Sequence, residues 1–117
     1  VAAELDYIGV LALEMFVTDG PGEVLANEIA PRVHNTGHWT LDGAVTDQFE
    51  QHIRAIAGLP LGAPDALGPV RMENLIGGDI DRRDDLLTDP RARVHDYGKG
   101  DARPGRKMGH VTWLDAD

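Results

Sequence analysis

The stretch Tyr7-Ile-Gly-Val-Leu-Ala-Leu-Glu-Met-Phe-Val17, then Thr18-Asp-Gly-Pro-Gly22, then Glu23-Val-Leu-Ala-Asn-Glu-Ile-Ala30 decides the fold. Two strand-like runs flank a segment of strong turn chemistry, and that pattern predicts an antiparallel hairpin. Alternation places Leu11, Leu13 and Met15 on one face, with Leu25 and Ile29 on the matching face opposite. This is the candidate core face. The other face carries Ala12, Ala26 and Ala30, a floor of small residues from which Glu14 and Glu28 project. With the hairpin centred near Pro21 the two carboxylates lie directly opposite, Cβ atoms roughly 5 Å apart. Like charges so placed repel, and a shared cation explains the pair economically. A solvated edge glutamate, or pairing with an arginine, is the alternative. A cation held this way is hard and oxygen-seeking, and magnesium typically takes one or two carboxylates plus substrate phosphates.

The second strand runs into Asn27-Glu-Ile-Ala-Pro-Arg-Val-His-Asn-Thr-Gly-His-Trp39, a polar, ring-rich segment. Pro31 ends the ladder, and Gly37 permits a tight or left-handed backbone. Arg32, His34, Asn35 and His38 offer donors for anionic or heterocyclic ligands within seven residues of one another. Singly, such residues are usually surface or structural groups, and Trp39 reads as a packing anchor; clustered beside the carboxylate pair, they favour a site. Zinc is not indicated, since the chain has no cysteine and no HExxH spacing.

Asp42 is placed to cap a helix from about Gly43 to Ala57, with Val45, Phe49, Ile53 and Ile56 on one stripe and Gly58 and Pro60 as the stop. That helix is expected to cover the core face of the hairpin. Leu61 to Pro69 is loop-like, Met72 to Ile76 a short strand, and Asp81 to Leu87 one or two helical turns. Arg93 to Tyr97 and Met108 to Trp113 read as short strands flanking a Gly98 to Lys107 loop. This loop is no Walker A motif, although its glycines and Lys99, Arg106 and Lys107 could serve an anion.

Charge supports that possibility. The net charge is −9, which argues against general nucleic-acid binding. Yet residues 1–90 hold sixteen acids and five bases, whereas 91–107 hold six bases and two acids. A basic segment in an acidic chain suggests a local anion site, against the plainer reading of a solvated basic turn. No apolar run approaches membrane-spanning length and no secretory signal is visible. The lack of cysteine excludes disulfides and agrees with a cytoplasmic location.

Glu14-Met-Phe-Val17, the run Asn27 to Trp39, Gln48-Phe-Glu50 with Gly58-Leu-Pro60, and Tyr97-Gly-Lys-Gly-Asp-Ala-Arg-Pro-Gly-Arg-Lys-Met-Gly-His110 together resemble the 5-(carboxyamino)imidazole ribonucleotide synthase family of ATP-grasp ligases. The strand glutamates are shared by many ATP-grasp enzymes; the HNTGHW and RPGRKMGH blocks are far more specific. The resemblance implies an α+β fold, with residues 1–62 the C-terminal part of an ATP-grasp domain and 63–117 a small β-rich subdomain. It also implies that the chain is a C-terminal fragment of an enzyme about three times longer, catalytically inert alone.

The implied chemistry is ATP- and bicarbonate-dependent carboxylation of 5-aminoimidazole ribonucleotide by a homodimeric enzyme. On this resemblance Glu14 and Glu28 hold Mg2+, and Asn27 lines the ATP site with Glu28. Arg32 and His34 serve catalysis and face bicarbonate, carboxyphosphate or substrate beside Asn35, while Lys99, Arg106 and Lys107 take the substrate phosphate. One departure stands out: many ATP-grasp enzymes have an asparagine two residues after the second glutamate, where this chain has Ala30. Another ATP-grasp carboxylase or formyl-phosphate ligase, and a non-catalytic binding or oligomerisation module, are the competing readings.

Overall fold

The computed structural model describes residues 1–20 and 22–114. They fall into two compact units, Val1–His38 with Thr46–Pro64, and Trp39–Val45 with the chain from Asp65 onward.

In the first unit β1 (Ala12–Val17) and β2 (Val24–Ala30) form the expected antiparallel ribbon. Pro21, the expected turn centre, lies outside the described residues. The pairing is not uniform: Ala12 faces Ala30 and Leu13 faces Ile29, but Met15 faces Ala26, with a register shift between Leu13 and Met15. Two β2 residues, Asn27 and Glu28, therefore oppose the single residue Glu14, the signature of a β-bulge. Direct one-to-one opposition of the two glutamates is replaced by this two-to-one arrangement.

α1 (Thr40–Gly43) belongs to the second unit and α2 (Gln48–Ile56) to the first; the helix expected from about Gly43 to Ala57 is found only from Gln48, with α1 a separate turn ahead of it. Asp47, not Asp42, caps α2: its carboxylate accepts from the N–H groups of Phe49 and Glu50 at 2.8 and 3.0 Å. The expected packing of this helix over the hairpin is not found among the described residues. Leu25 and Ile53 are each 57% exposed, and Leu13, Met15, Ile29, Val45, Phe49 and Ile56 are exposed as well. A two-stranded ribbon and a nine-residue helix offer too little apolar area to bury each other. The helix is tied instead through His52, whose Nδ1 accepts from the Val10 N–H at 3.0 Å.

The second unit is a three-stranded antiparallel sheet in the order β3 (Val70–Ile76), β5 (Lys107–Leu114), β4 (Ala92–Asp96). These strands match the sequence expectation to within two residues. Every residue from Met108 to Trp113 on the central strand is buried. One face gathers Leu75, Ala92, Val111 and Trp113, with Ile80, Leu86 and Val94 packed on them. Ile80 and Leu86 come from a 3-10 segment (Gly77–Arg82) and α3 (Arg83–Leu86), which begin four residues before the helical turns expected over Asp81 to Leu87. The opposite face carries His95, His110 and Thr112, and α1 supplies Asp42 to it.

Candidate nucleotide and substrate sites

Glu14 sits at the bulge with both carboxylate oxygens engaged. Oε2 accepts from the Asn27 amide at 3.3 Å, and Oε1 lies 2.7 Å from His34 Nε2. The His34 tautomer follows from its other nitrogen. The Thr36 N–H points at Nδ1 and the Thr36 hydroxyl lies 2.9 Å from it, so Nδ1 accepts and Nε2–H donates to Glu14. His34 is nearly buried, its side chain 11% exposed against 37% for Glu14. Glu28 is exposed on the neighbouring strand position.

The loop carrying His34 is held by Gln48, a buried residue at the start of α2. Its Oε1 accepts from the His34 N–H at 2.9 Å, and its Nε2 donates to the His34 carbonyl at 2.8 Å. Nε2 also lies 2.9 Å from His38 Nδ1. Gly37 is required by this approach rather than by a left-handed backbone, since a Cβ there would collide with the Gln48 amide. Asn35 opens the 3-10 turn Asn35–Gly37, half-buried. Arg32 is exposed, its guanidinium donating to the Val33 carbonyl at 3.0 Å. Asn27 and His34 are thus each brought into direct contact with Glu14, while Arg32 donates to the carbonyl of the next residue, Val33.

In the second unit β4 and β5 are joined by the Gly-rich loop, in which Gly98, Gly100 and Gly105 adopt positive φ. Lys99 Nζ donates to the Lys107 carbonyl at 2.7 Å and lies 5.3 Å from the centre of the Tyr97 ring. Arg106 Nη1 reaches the Asp101 carbonyl at 3.5 Å, and Lys107 opens β5 with its side chain exposed. The Gly98 N–H, with the Arg83 guanidinium, holds the Asp96 carboxyl below the usual carboxylate range. Burial pushes the Tyr97 phenol up.

Sequence reasoning missed a cluster behind this loop. Asp42 Oδ2 lies 2.7 Å from His95 Nε2, the His95 and His110 rings stack at 4.4 Å and 15°, and His110 Nδ1 lies 2.7 Å from the Tyr97 hydroxyl. A signal was available, because His95 and His110 are nearly equidistant from the middle of the loop and so face each other across an antiparallel pair. Ligand atoms of Asp42, His95 and His110 lie within 4.8 Å of one another. Near-parallel rings, however, send their in-plane lone pairs alongside each other instead of to one point. The cluster is a hydrogen-bonded stack in form, not a metal centre.

Comparison with known proteins gives two family matches along the chain. Residues 1–49 match the ATP-grasp domain family, and residues 71–117 match the phosphoribosylaminoimidazole carboxylase C-terminal domain family. The chain is 58% identical over 108 residues to N5-carboxyaminoimidazole ribonucleotide synthase of Brucella melitensis, covering 92% of this chain and 30% of that protein. The crystal structure of N5-carboxyaminoimidazole ribonucleotide synthetase from Thermus thermophilus superposes with a TM-score of 0.84 at 48% identity, covering 99% of this chain and 31% of that one. The Aspergillus clavatus synthase, solved in complex with ADP and 5-aminoimidazole ribonucleotide, superposes with a TM-score of 0.82 at 39% identity, covering 93% and 31%. The chain therefore spans about 30% of the length of the relatives it matches.

Proposed function

Because the chain belongs to the N5-carboxyaminoimidazole ribonucleotide synthase family, we propose that it forms part of an ATP-dependent carbon–nitrogen ligase. The reaction would consume ATP and bicarbonate and carboxylate the amine of 5-aminoimidazole ribonucleotide. In it, bicarbonate oxygen attacks the γ-phosphorus, ADP leaves, and the resulting carboxyphosphate passes its carboxyl group to the amine with loss of phosphate and a proton. Residues 1–62 would be the C-terminal part of the ATP-grasp domain and 63–117 its small β-rich companion. A homodimer and a cytoplasmic location belong to the same proposal and rest on the family alone.

The observation that supports this reading is the meeting of Glu14, Asn27 and His34 at the β2 bulge. Such a cluster costs the hairpin regular pairing and brings no apolar burial, which suits a binding role better than a structural one. The donor set fits Mg2+: Glu14 and Glu28 supply hard carboxylate oxygens, and an oxygen that accepts one hydrogen bond keeps a second lone pair. When bound, the ion would neutralise phosphate charge and orient the γ-phosphoryl group. His34 orients the Glu14 carboxylate through Nε2–H, and Asn27 holds the other oxygen of Glu14 beside Glu28. Exposed Arg32, with Asn35, would bind the bicarbonate or carboxyphosphate anion, with His34, both of whose ring nitrogens are engaged, holding Glu14 beside them. Lys99, Arg106 and Lys107 would take the 5′-phosphate of the ribonucleotide, Lys99 and Arg106 with donors left over from their backbone contacts and Lys107 from an exposed side chain.

Glu28→Gln in the full-length enzyme tests the assignment. ATP turnover is expected to fall at least about tenfold, with the thermal midpoint unchanged because the side chain is exposed. Unaltered turnover at limiting magnesium would remove Glu28 from the site.

A further inference from the structure

Lys99 has only part of its environment explained by the loop that carries it. Its ammonium rests over the Tyr97 ring at 5.3 Å, within cation–π range, while donating to the Lys107 carbonyl at 2.7 Å. The ring below it is not free to turn. Its hydroxyl is tied to His110 Nδ1 at 2.7 Å, and the Tyr97 N–H donates to the Met108 carbonyl at 3.0 Å. His110 is 1% exposed on the central strand. Its other side is closed by the stack with His95, and His95 is paired to Asp42 of α1. A continuous run of contacts thus leads from Asp42, through two imidazoles and a phenol, to the ammonium of Lys99.

We propose that Tyr97 and His110 are positioning residues for Lys99, with the Asp42–His95 pair bracing the stack behind them. The inference rests on the reading that Lys99 binds the substrate phosphate. A lysine side chain has four rotatable carbon bonds, and ordering it on binding costs entropy. A ring face locked in place keeps the ammonium near its bound position beforehand, so less of that cost falls on the ligand. His110 gives the phenol a fixed partner in a buried site, and only its Nδ1 reaches the hydroxyl.

Tyr97→Phe is the informative variant, because it keeps the ring and removes the tie. The chain has two lysines, Lys99 and Lys107, so limited acetylation read by mass spectrometry carries its own reference. The Lys99 to Lys107 labelling ratio is expected to rise about threefold in Tyr97→Phe, as a held ammonium is released. In the full-length enzyme Tyr97→Phe should raise KM for 5-aminoimidazole ribonucleotide several-fold, with kcat and KM for ATP within about twofold. That effect should vanish in a Lys99→Ala background, which a general loss of folding would not produce. An unchanged labelling ratio, or an equal effect of Tyr97→Phe with and without Lys99, overturns the inference. If instead Lys99→Ala leaves KM for the ribonucleotide unaltered, the phosphate reading itself falls, whatever the labelling ratio shows.

Discussion

In the unit built on β3, β5 and β4, Leu75 and Val111 are fully buried and Trp113 nearly so; in the unit built on β1, β2 and α2, Leu25 and Ile53 are each 57% exposed. Both units have alternating apolar residues, so pattern does not separate them. Layering does. The three-stranded sheet has a segment on each face: Ile80 and Leu86 close the apolar side, and α1 closes the polar side through Asp42. The ribbon has two strands, and among the described residues no element lies over its apolar face. A sheet needs a third strand or a packed layer before its hydrophobic face contributes its full transfer free energy. The ribbon unit nevertheless carries the cluster at Glu14. Its local order comes from hydrogen bonds through Gln48 and His34 rather than from a core.

The largest test of this contrast is a pair of truncations in the chain itself. Leu75→Ala should cost about 2–5 kcal/mol, the range for emptying a fully buried leucine site. Leu25→Ala should stay within about 0.5 kcal/mol, as for an exposed substitution. Urea unfolding measures both. A Leu25→Ala cost matching that of Leu75→Ala would mean that the ribbon face is covered in solution, and the contrast would break.

A smaller effect sharpens the description of the ribbon unit. Asp47→Ala removes the cap of α2 and should cost about 1 kcal/mol. Because the described residues of this unit form no shared core, the loss should show locally, as faster amide exchange at Phe49 and Glu50. Uniform acceleration across β3 and β5 would instead mean that the two units unfold together.

The smallest effect is acid-dependent and belongs to the sheet unit. Asp96 is held below its ordinary value of 3.8, chiefly by the Gly98 N–H. A carboxyl with a depressed folded pKa adds stability that is present above the ordinary value and is lost as pH falls through the folded one. Wild type should therefore exceed Asp96→Asn in stability near neutral pH, and the difference should shrink below about pH 4. A difference that persists unaltered in acid would detach Asp96 from the loop's stability.

Much of this was legible in the amino-acid order. The hairpin around Glu14 and Glu28, the two C-terminal strands and the helical turns before them follow from alternation and turn residues, which act over a few neighbours. So does the clustering of Asn27 and His34 near Glu14, because a strand and its continuation must return beside the partner strand. Asp42 and Asp47 show where such reading stops. Both are aspartates ahead of an apolar stripe, and only the folded backbone decides that Asp47 caps α2 while Asp42 reaches His95.

Sequence alone therefore determined the strands, their order and the family, since these depend on local propensity and on blocks such as HNTGHW and RPGRKMGH. Tertiary structure alone decided the bulge that sets Asn27 and Glu28 together against Glu14, and the stack that carries Asp42 to Tyr97. Register and cross-strand facing depend on where distant segments settle against one another. A one-residue slip changes every partner while leaving each local pattern as it was.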